Sequence, residues 1–180
     1  EVHGQHETVG LLDWKTHRAL LDAYGGLSPQ LGGVSLAHET LKAARAPRPR
    51  VAVVEWTDPI FLAGHWGPEM VRRAGGVDVL GVAGAHSTTV APDALAAADP
   101  EVVLVAPCGY DLPRAAAEAR ALLDDARWAW LAGRAAWALD ANAFLSRPGP
   151  RLVDGIELMA AILHPGLFPP PDAARANRIG

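Results

Sequence analysis

Cysteine occurs once in the 180 residues, at Cys108, which excludes an internal disulfide framework and leaves the redox compartment open. Basic residues are outnumbered, 16 against 20 acidic, for a net charge of −4. That balance supplies neither a positive field for nucleic acid nor a polybasic stripe for anionic lipid, so neither partner is expected. Apolar runs fall far short of the ~20 residues that span a bilayer. The opening Glu1-Val2-His3-Gly4-Gln5-His6 has neither the basic start nor the apolar stretch of a secretory signal, and the chain begins without Met, as a mature form or a fragment does. Histidines are scattered. His65, His86 and His164 stand at no metal-ligand spacing, and His3, His6 and His17 have no thiolate or carboxylate at suitable offsets, so no metal site is expected.

What is present is a chain half hydrophobic by count, long enough to bury a core of one domain or slightly more. From Val51 onward, short apolar runs alternate with helical patterns, the βαβα signature of a mostly parallel sheet covered by helices. Val51–Val54 and Val102–Val105 read as strands, with Val77–Val82 a shorter one and Ala135–Leu139 the last. Helices are expected over Pro68–Ala74, stopped by Gly75-Gly76, over Pro92–Ala98, over Pro113–Asp124 with Asp111 as N-cap, and over Leu152–Leu163. Trp128–Leu131 and Gly133 read as a turn. The tail from Pro169 to Gly180 reads as flexible.

The first fifty residues differ in character. Leu11–Ala23 and Ser35–Ala44 suggest helices, and Ala46-Pro47-Arg48-Pro49-Arg50 a stiff linker. The expected organisation is therefore a helical segment and linker over 1–50, a three-layer α/β/α lobe over 51–168, and a loose tail over 169–180.

Two polar segments stand where a strand hands over to a helix, the place where open α/β sheets bind ligands. One is Asp140-Ala141-Asn142-Ala143-Phe144-Leu145-Ser146-Arg147-Pro148-Gly149-Pro150-Arg151, which gathers an aromatic ring, an amide and two guanidiniums in one turn. The other is the end of Val51-Ala52-Val53-Val54-Glu55-Trp56-Thr57-Asp58-Pro59-Ile60-Phe61. Trp56, Phe61, Trp66 and Phe144 offer aromatic faces to a large flat ligand, or else belong to the core; Trp56 reads as pocket, Trp66 as core or rim. Trp128, Trp130 and Trp137 read as packing. Gly75-Gly76 to Gly84 follows a helix and not a strand, so it fails as a nucleotide loop.

With Pro107-Cys108-Gly109-Tyr110 after a third strand and the closing Leu163-His164-Pro165, the two segments resemble the C-terminal lobe of a class III periplasmic solute-binding protein, in the cobalamin-binding branch of the ABC-importer receptors. The resemblance covers roughly residues 40 to 168. A complete receptor of this class has an N-terminal α/β lobe and a connecting helix; residues 35–46 read as a remnant of that helix.

The resemblance implies a binding protein without enzymatic activity or cofactor, periplasmic or tethered at the cell surface, that holds cobalamin noncovalently and delivers it to an ABC permease. It implies a ligand site formed by Trp56, Thr57, Asp58, Phe61, Asn142, Phe144 and Arg147. There Asn142 and Arg147 would meet the amide and phosphate groups that rim a corrinoid. Arg147 could instead brace the loop against Asp140 or Asp154, and Arg151, at a helix start, calls for a compensating anion or carbonyl. The resemblance also implies permease docking by Asp93, which reads equally as first-turn acid decoration. An iron-siderophore or haem receptor is the neighbouring alternative. From another class comes a small α/β enzyme using Cys108 or Asp58, although Cys108 reads more readily as a pocket-lining thiol.

Overall fold

A computed structural model describes residues 47–180. The helices expected over 11–23 and 35–44, and with them nearly all of the 1–50 segment, lie outside the described residues.

Strand β1 (Arg50–Thr57) explains the architecture. Its Val51, Ala52, Val53 and Val54 are each at most 1% exposed, so the strand is covered on both faces. Side chains alternate along a strand: Val51 and Val53 enter one core cluster, with Leu104, Leu139 and Met159. Ala52 and Val54 enter a second, with Val103, Val105, Trp128 and Leu131. Each fully buried valine or leucine contributes about 1.5–3 kcal/mol relative to an exposed one. A continuous apolar run is the signature of a strand buried on both sides in a parallel sheet.

Strand β5 (Val102–Val105) pairs parallel to β1, Val51 opposite Val102 through Val54 opposite Val105. Strand β6 (Ala135–Leu139) continues the parallel set from β5. A short β3 (Val77–Asp78) pairs parallel to the start of β1. The sheet is completed by antiparallel pieces: β2 (Ile60–Leu62) folds back on β1, β4 (Thr88–Thr89) pairs with β2, and β7 (Ala176–Arg178) pairs with β6. The order across the sheet is β4-β2-β1-β5-β6-β7.

Helices α1 (Gly67–Arg73) and α5 (Arg151–Leu163) cover the first face through Met70, Val71, Val153, Ile156, Met159 and Leu163. On the second face lie α2 (Pro92–Ala97), α3 (Leu112–Leu123) and a 3₁₀ helix (Ala126–Leu131), through Leu95, Leu112, Ala119, Leu122, Trp128 and Leu131. Asp111 caps α3 as expected, accepting from the Arg114 N–H at 3.1 Å. A very short α4 (Ala141–Phe144) links β6 to α5. The result is the three-layer α/β/α arrangement with a mostly parallel sheet.

Three readings need correction. The strand expected over 77–82 is regular only at Val77–Asp78, because the Asp78 carboxylate accepts from the Leu80 and Gly81 N–H groups and turns the chain. Trp128–Leu131 is part of a 3₁₀ helix rather than a turn, begun by Asp125, which accepts from the Arg127 N–H. The tail read as flexible contains β7, held by antiparallel pairing to Trp137, Ala138 and Leu139.

Candidate functional site

Strands β1, β5 and β6 run parallel, so their carboxyl ends meet at one edge of the sheet, and three loops converge there. Glu55, Trp56, Pro59, Phe61 and Cys108 line a shallow cavity of about 320 Å³ at this edge. Consecutive residues of a regular strand point to opposite faces, yet Glu55 and Trp56 both reach the cavity. The β1–β2 pairing explains this: its register shifts between Val54 and Trp56, a bulge that re-aims a side chain. The β1–β2 turn, with a cis Asp58–Pro59 bond, brings Pro59 and Phe61 back beside Trp56.

Trp56 is 37% exposed, unusual for so large a ring, and packs edge-on against Tyr110 at 5.5 Å between centroids. The Arg114 guanidinium lies over the other ring, 3.7 Å from the Tyr110 centroid, and donates to the Tyr110 hydroxyl at 3.0 Å. Cys108 is exposed in the cavity wall, with its backbone N–H donating to the Glu55 carbonyl at 3.0 Å.

Glu55 is half-buried. Its Oε2 accepts from the Ser87 hydroxyl at 2.5 Å, and Ser87 Oγ in turn accepts from the Gly64 N–H at 3.3 Å. Burial pushes the Glu55 carboxyl above the usual carboxylate value, opposed by the Ser87 hydrogen bond and the nearby His65. Gly64 permits this arrangement, because a Cβ there would stand 2.4 Å from the Ser87 nitrogen and 2.6 Å from the Ala85 carbonyl oxygen. Beside it, His65 adopts a left-handed φ of 50°, rare for a residue other than glycine, and its exposed ring meets His86 edge-on at 5.2 Å. His65 and Ala85 are joined by a 2.6 Å backbone hydrogen bond, and Gly84 donates to His65 at 2.7 Å.

The third loop follows β6. Asp140 caps α4 by accepting from the Ala143 N–H at 2.8 Å, and two contacts bind this loop to the one after β5: the Asn142 N–H donates to the Tyr110 carbonyl at 3.0 Å, and the Gly109 N–H donates to Ser146 Oγ at 2.9 Å. Asn142 and Arg147 are exposed on this loop. Among the described residues Arg147 makes no ion pair with Asp140 or Asp154. Arg151 is exposed at the start of α5, with Asp154 in the same first turn as its acidic counterpart.

Of the residues expected in the site, Trp56 and Phe61 line the cavity. Thr57 does not: it is 6% exposed and its hydroxyl donates to Glu118 on α3. Asp58 stands at the exposed tip of the β1–β2 turn, 3.7 Å from Arg127. Phe144, read as a face for the ligand, is 8% exposed and belongs to the core beneath α5, with the Arg175 guanidinium 5.5 Å from its ring centroid. Trp66 packs half-buried against the core and acts as a brace, donating from its indole to the Leu145 carbonyl. Asp93 is exposed in the first turn of α2. Glu55 and Pro59 were not singled out from the sequence; the bulge and the turn bring them beside Trp56 and Phe61. Among the described residues no cluster of three His, Cys, Asp or Glu could hold a metal ion, and no helix is long and apolar enough to cross a membrane.

No family model and no curated protein matches the chain. Solved structures do. A periplasmic haem-binding protein in complex with two haems is 26% identical with a TM-score of 0.59, over 87% of this chain and 65% of that one. A periplasmic haem-binding protein from Pseudomonas aeruginosa is 24% identical with a TM-score of 0.60, over 91% of this chain and 58% of that one. The chain folds as a lobe of a class III periplasmic solute-binding protein. A periplasmic vitamin B12-binding protein of Vibrio cholerae shares the fold of this lobe at 20% identity and a TM-score of 0.58, over 83% of this chain and 59% of that one. The chain thus spans about three-fifths of the length of each of these structures. All three are described as binding proteins, none as an enzyme.

Proposed function

We propose that this chain is part of the substrate-binding component of an ABC importer, holding a corrinoid noncovalently at the carboxyl ends of β1, β5 and β6. The observation that carries the reading is the exposed Trp56 ring, set edge-on to Tyr110 and flanked by Pro59 and Phe61, which offers a flat apolar wall where such folds bind ligands. Asn142 and Arg147 are exposed on the neighbouring loop, where they could meet amide or phosphate groups at the ligand's rim. Thr57, Asp58 and Phe144 take no direct part in this version of the site. Binding needs no cofactor and no chemistry, and Cys108 acts as lining, since no hydrogen bond joins its thiol to a base among the described residues.

The test is tryptophan fluorescence. Cyanocobalamin should change it saturably, and an unsaturable response up to millimolar ligand would reject the corrinoid. A second reading, haem, is favoured by the two haem-binding structures among the similar folds; saturation by haemin but not cyanocobalamin would select it.

Delivery to a permease in the periplasm or at the cell surface follows from the same reading, with the exposed Asp93 as the docking acid. Asp93→Lys should leave ligand affinity unchanged and weaken permease association, most at low salt. Indifference of the permease to the reversal removes that role.

A further inference from the structure

We propose that Glu55 sets the edge chemistry this pocket accepts: it favours a ligand whose rim donates hydrogen bonds, as carboxamides do, and rejects one whose rim carries carboxylates. The inference rests on the tetrapyrrole reading of the same site and goes beyond it by naming which periphery fits.

Glu55 is the one formally charged side chain among the five that line the cavity; the others are Trp56, Pro59, Phe61 and Cys108. The bulge in β1 puts it there. It is held in place as well. Ser87 donates to Oε2, the Gly64 N–H donates to Ser87, and the backbone hydrogen bonds of His65 with Gly84 and Ala85 tie that loop to the end of β2.

Oε2 is thus engaged, whereas Oε1 accepts no hydrogen bond among the described residues. A carboxylate has about four acceptor positions and no donor, so its unused positions call for N–H or O–H groups of the ligand. A ligand carboxylate offers neither. Two carboxylates forced into one half-dry site cannot both stay ionised at low cost.

Opposing charges exist nearby but do not cancel this one. His65 acts on Glu55 through space without a hydrogen bond to it, and Arg114 is committed to the face of Tyr110. Arg147 is on the loop after β6 and does not line the cavity. No guanidinium is among the five lining residues, so a carboxylate placed beside Glu55 meets no cation in the cavity wall itself.

The test compares dicyanocobinamide, with a carboxamide rim, against dicyanocobyrinic acid, which has the same ring and a carboxylate rim, by calorimetry at pH 7. The wild type should bind the amide form at least about tenfold more tightly, as expected for a like-charge penalty in a partly buried site. Glu55→Gln keeps the shape and the Ser87 contact while removing the charge, and should reduce the ratio to about twofold. Glu55→Met serves as a second neutral variant if the first fails to fold, and Glu55→Asp should retain the preference. A ratio that stays at the wild-type value in a folded neutral variant overturns the role of Glu55 alone. A wild type that binds neither probe overturns the tetrapyrrole reading and this inference with it.

Discussion

The Trp66 indole N–H donates to the Leu145 carbonyl at 2.7 Å, joining segments 79 residues apart. Through this bond the entry to α1 holds the loop that presents Asn142 and Arg147. Trp66→Phe keeps most of the packing and removes the donor, leaving a carbonyl in a partly buried place. Stability to urea should fall by about 0.5–1.5 kcal/mol. An unchanged midpoint would mean that the Leu145 carbonyl finds water without cost.

Arg147 is exposed and makes no brace to Asp140 or Asp154, so its removal should spare the fold. Arg147→Ala should weaken corrinoid binding by about 1–3 kcal/mol, the range of charge-assisted hydrogen bonds, with little change in melting temperature. Full affinity in the variant, measured by calorimetry, would take Arg147 out of the site.

Gly155 is within α5, where alanine is ordinarily the better helix former by about 1 kcal/mol. Packing should reverse that preference. A Cβ at this position would stand 2.6 Å from the Phe144 carbonyl oxygen and 2.8 Å from Met70 Cε, so α5 must move off α4. Gly155→Ala should therefore destabilise by about 1–3 kcal/mol in thermal melts, the usual cost of overpacking. A stabilised variant would show that α4 yields easily.

His164, 6% exposed at the end of α5, has an Nε2 without a hydrogen-bond partner among the described residues, and burial holds its imidazole below the ordinary histidine value. A lowered folded value means that the unfolded chain binds the proton first, so this contribution is present above about pH 6.5 and lost as the pH falls below it. Urea midpoints should drop between pH 7 and about pH 5, and His164→Gln should flatten that slope. Parallel slopes in the two proteins would assign the loss to other groups.

Strands buried on both faces were legible from composition alone. Val51–Val54 and Val102–Val105 are unbroken apolar runs rich in β-branched valine, the pattern of strands covered on both faces of a parallel sheet. The helix punctuated by Asp111 was legible for a local reason, since its cap is only three residues from the N–H that it satisfies. Short pieces were not. Ile60–Leu62, Thr88–Thr89 and Ala176–Arg178 are two or three residues long, too short to show a period, and exist because a neighbouring strand offers partners.

The site was half legible for related reasons. Trp56 and Phe61 could be recognised by residue type. Glu55 stands where the apolar run ends, and reading both it and Trp56 as cavity residues requires a bulge that breaks the two-residue period. Phe144 misled in the opposite direction: its sequence neighbours are polar and loop-like, but α4 turns its ring beneath α5.

Strand β7 has a consequence for solubility. Ala135-Ala136-Trp137-Ala138-Leu139 carries no charge, no proline and no glycine, the composition of a segment that self-associates when its backbone is open. With Ala176–Arg178 laid along it, β6 is paired on its outer side from Trp137 to Leu139, and the short border strand that replaces it carries the exposed Arg178. The short C-terminal strand thus acts as a gatekeeper, denying other copies of the chain a template on which to stack.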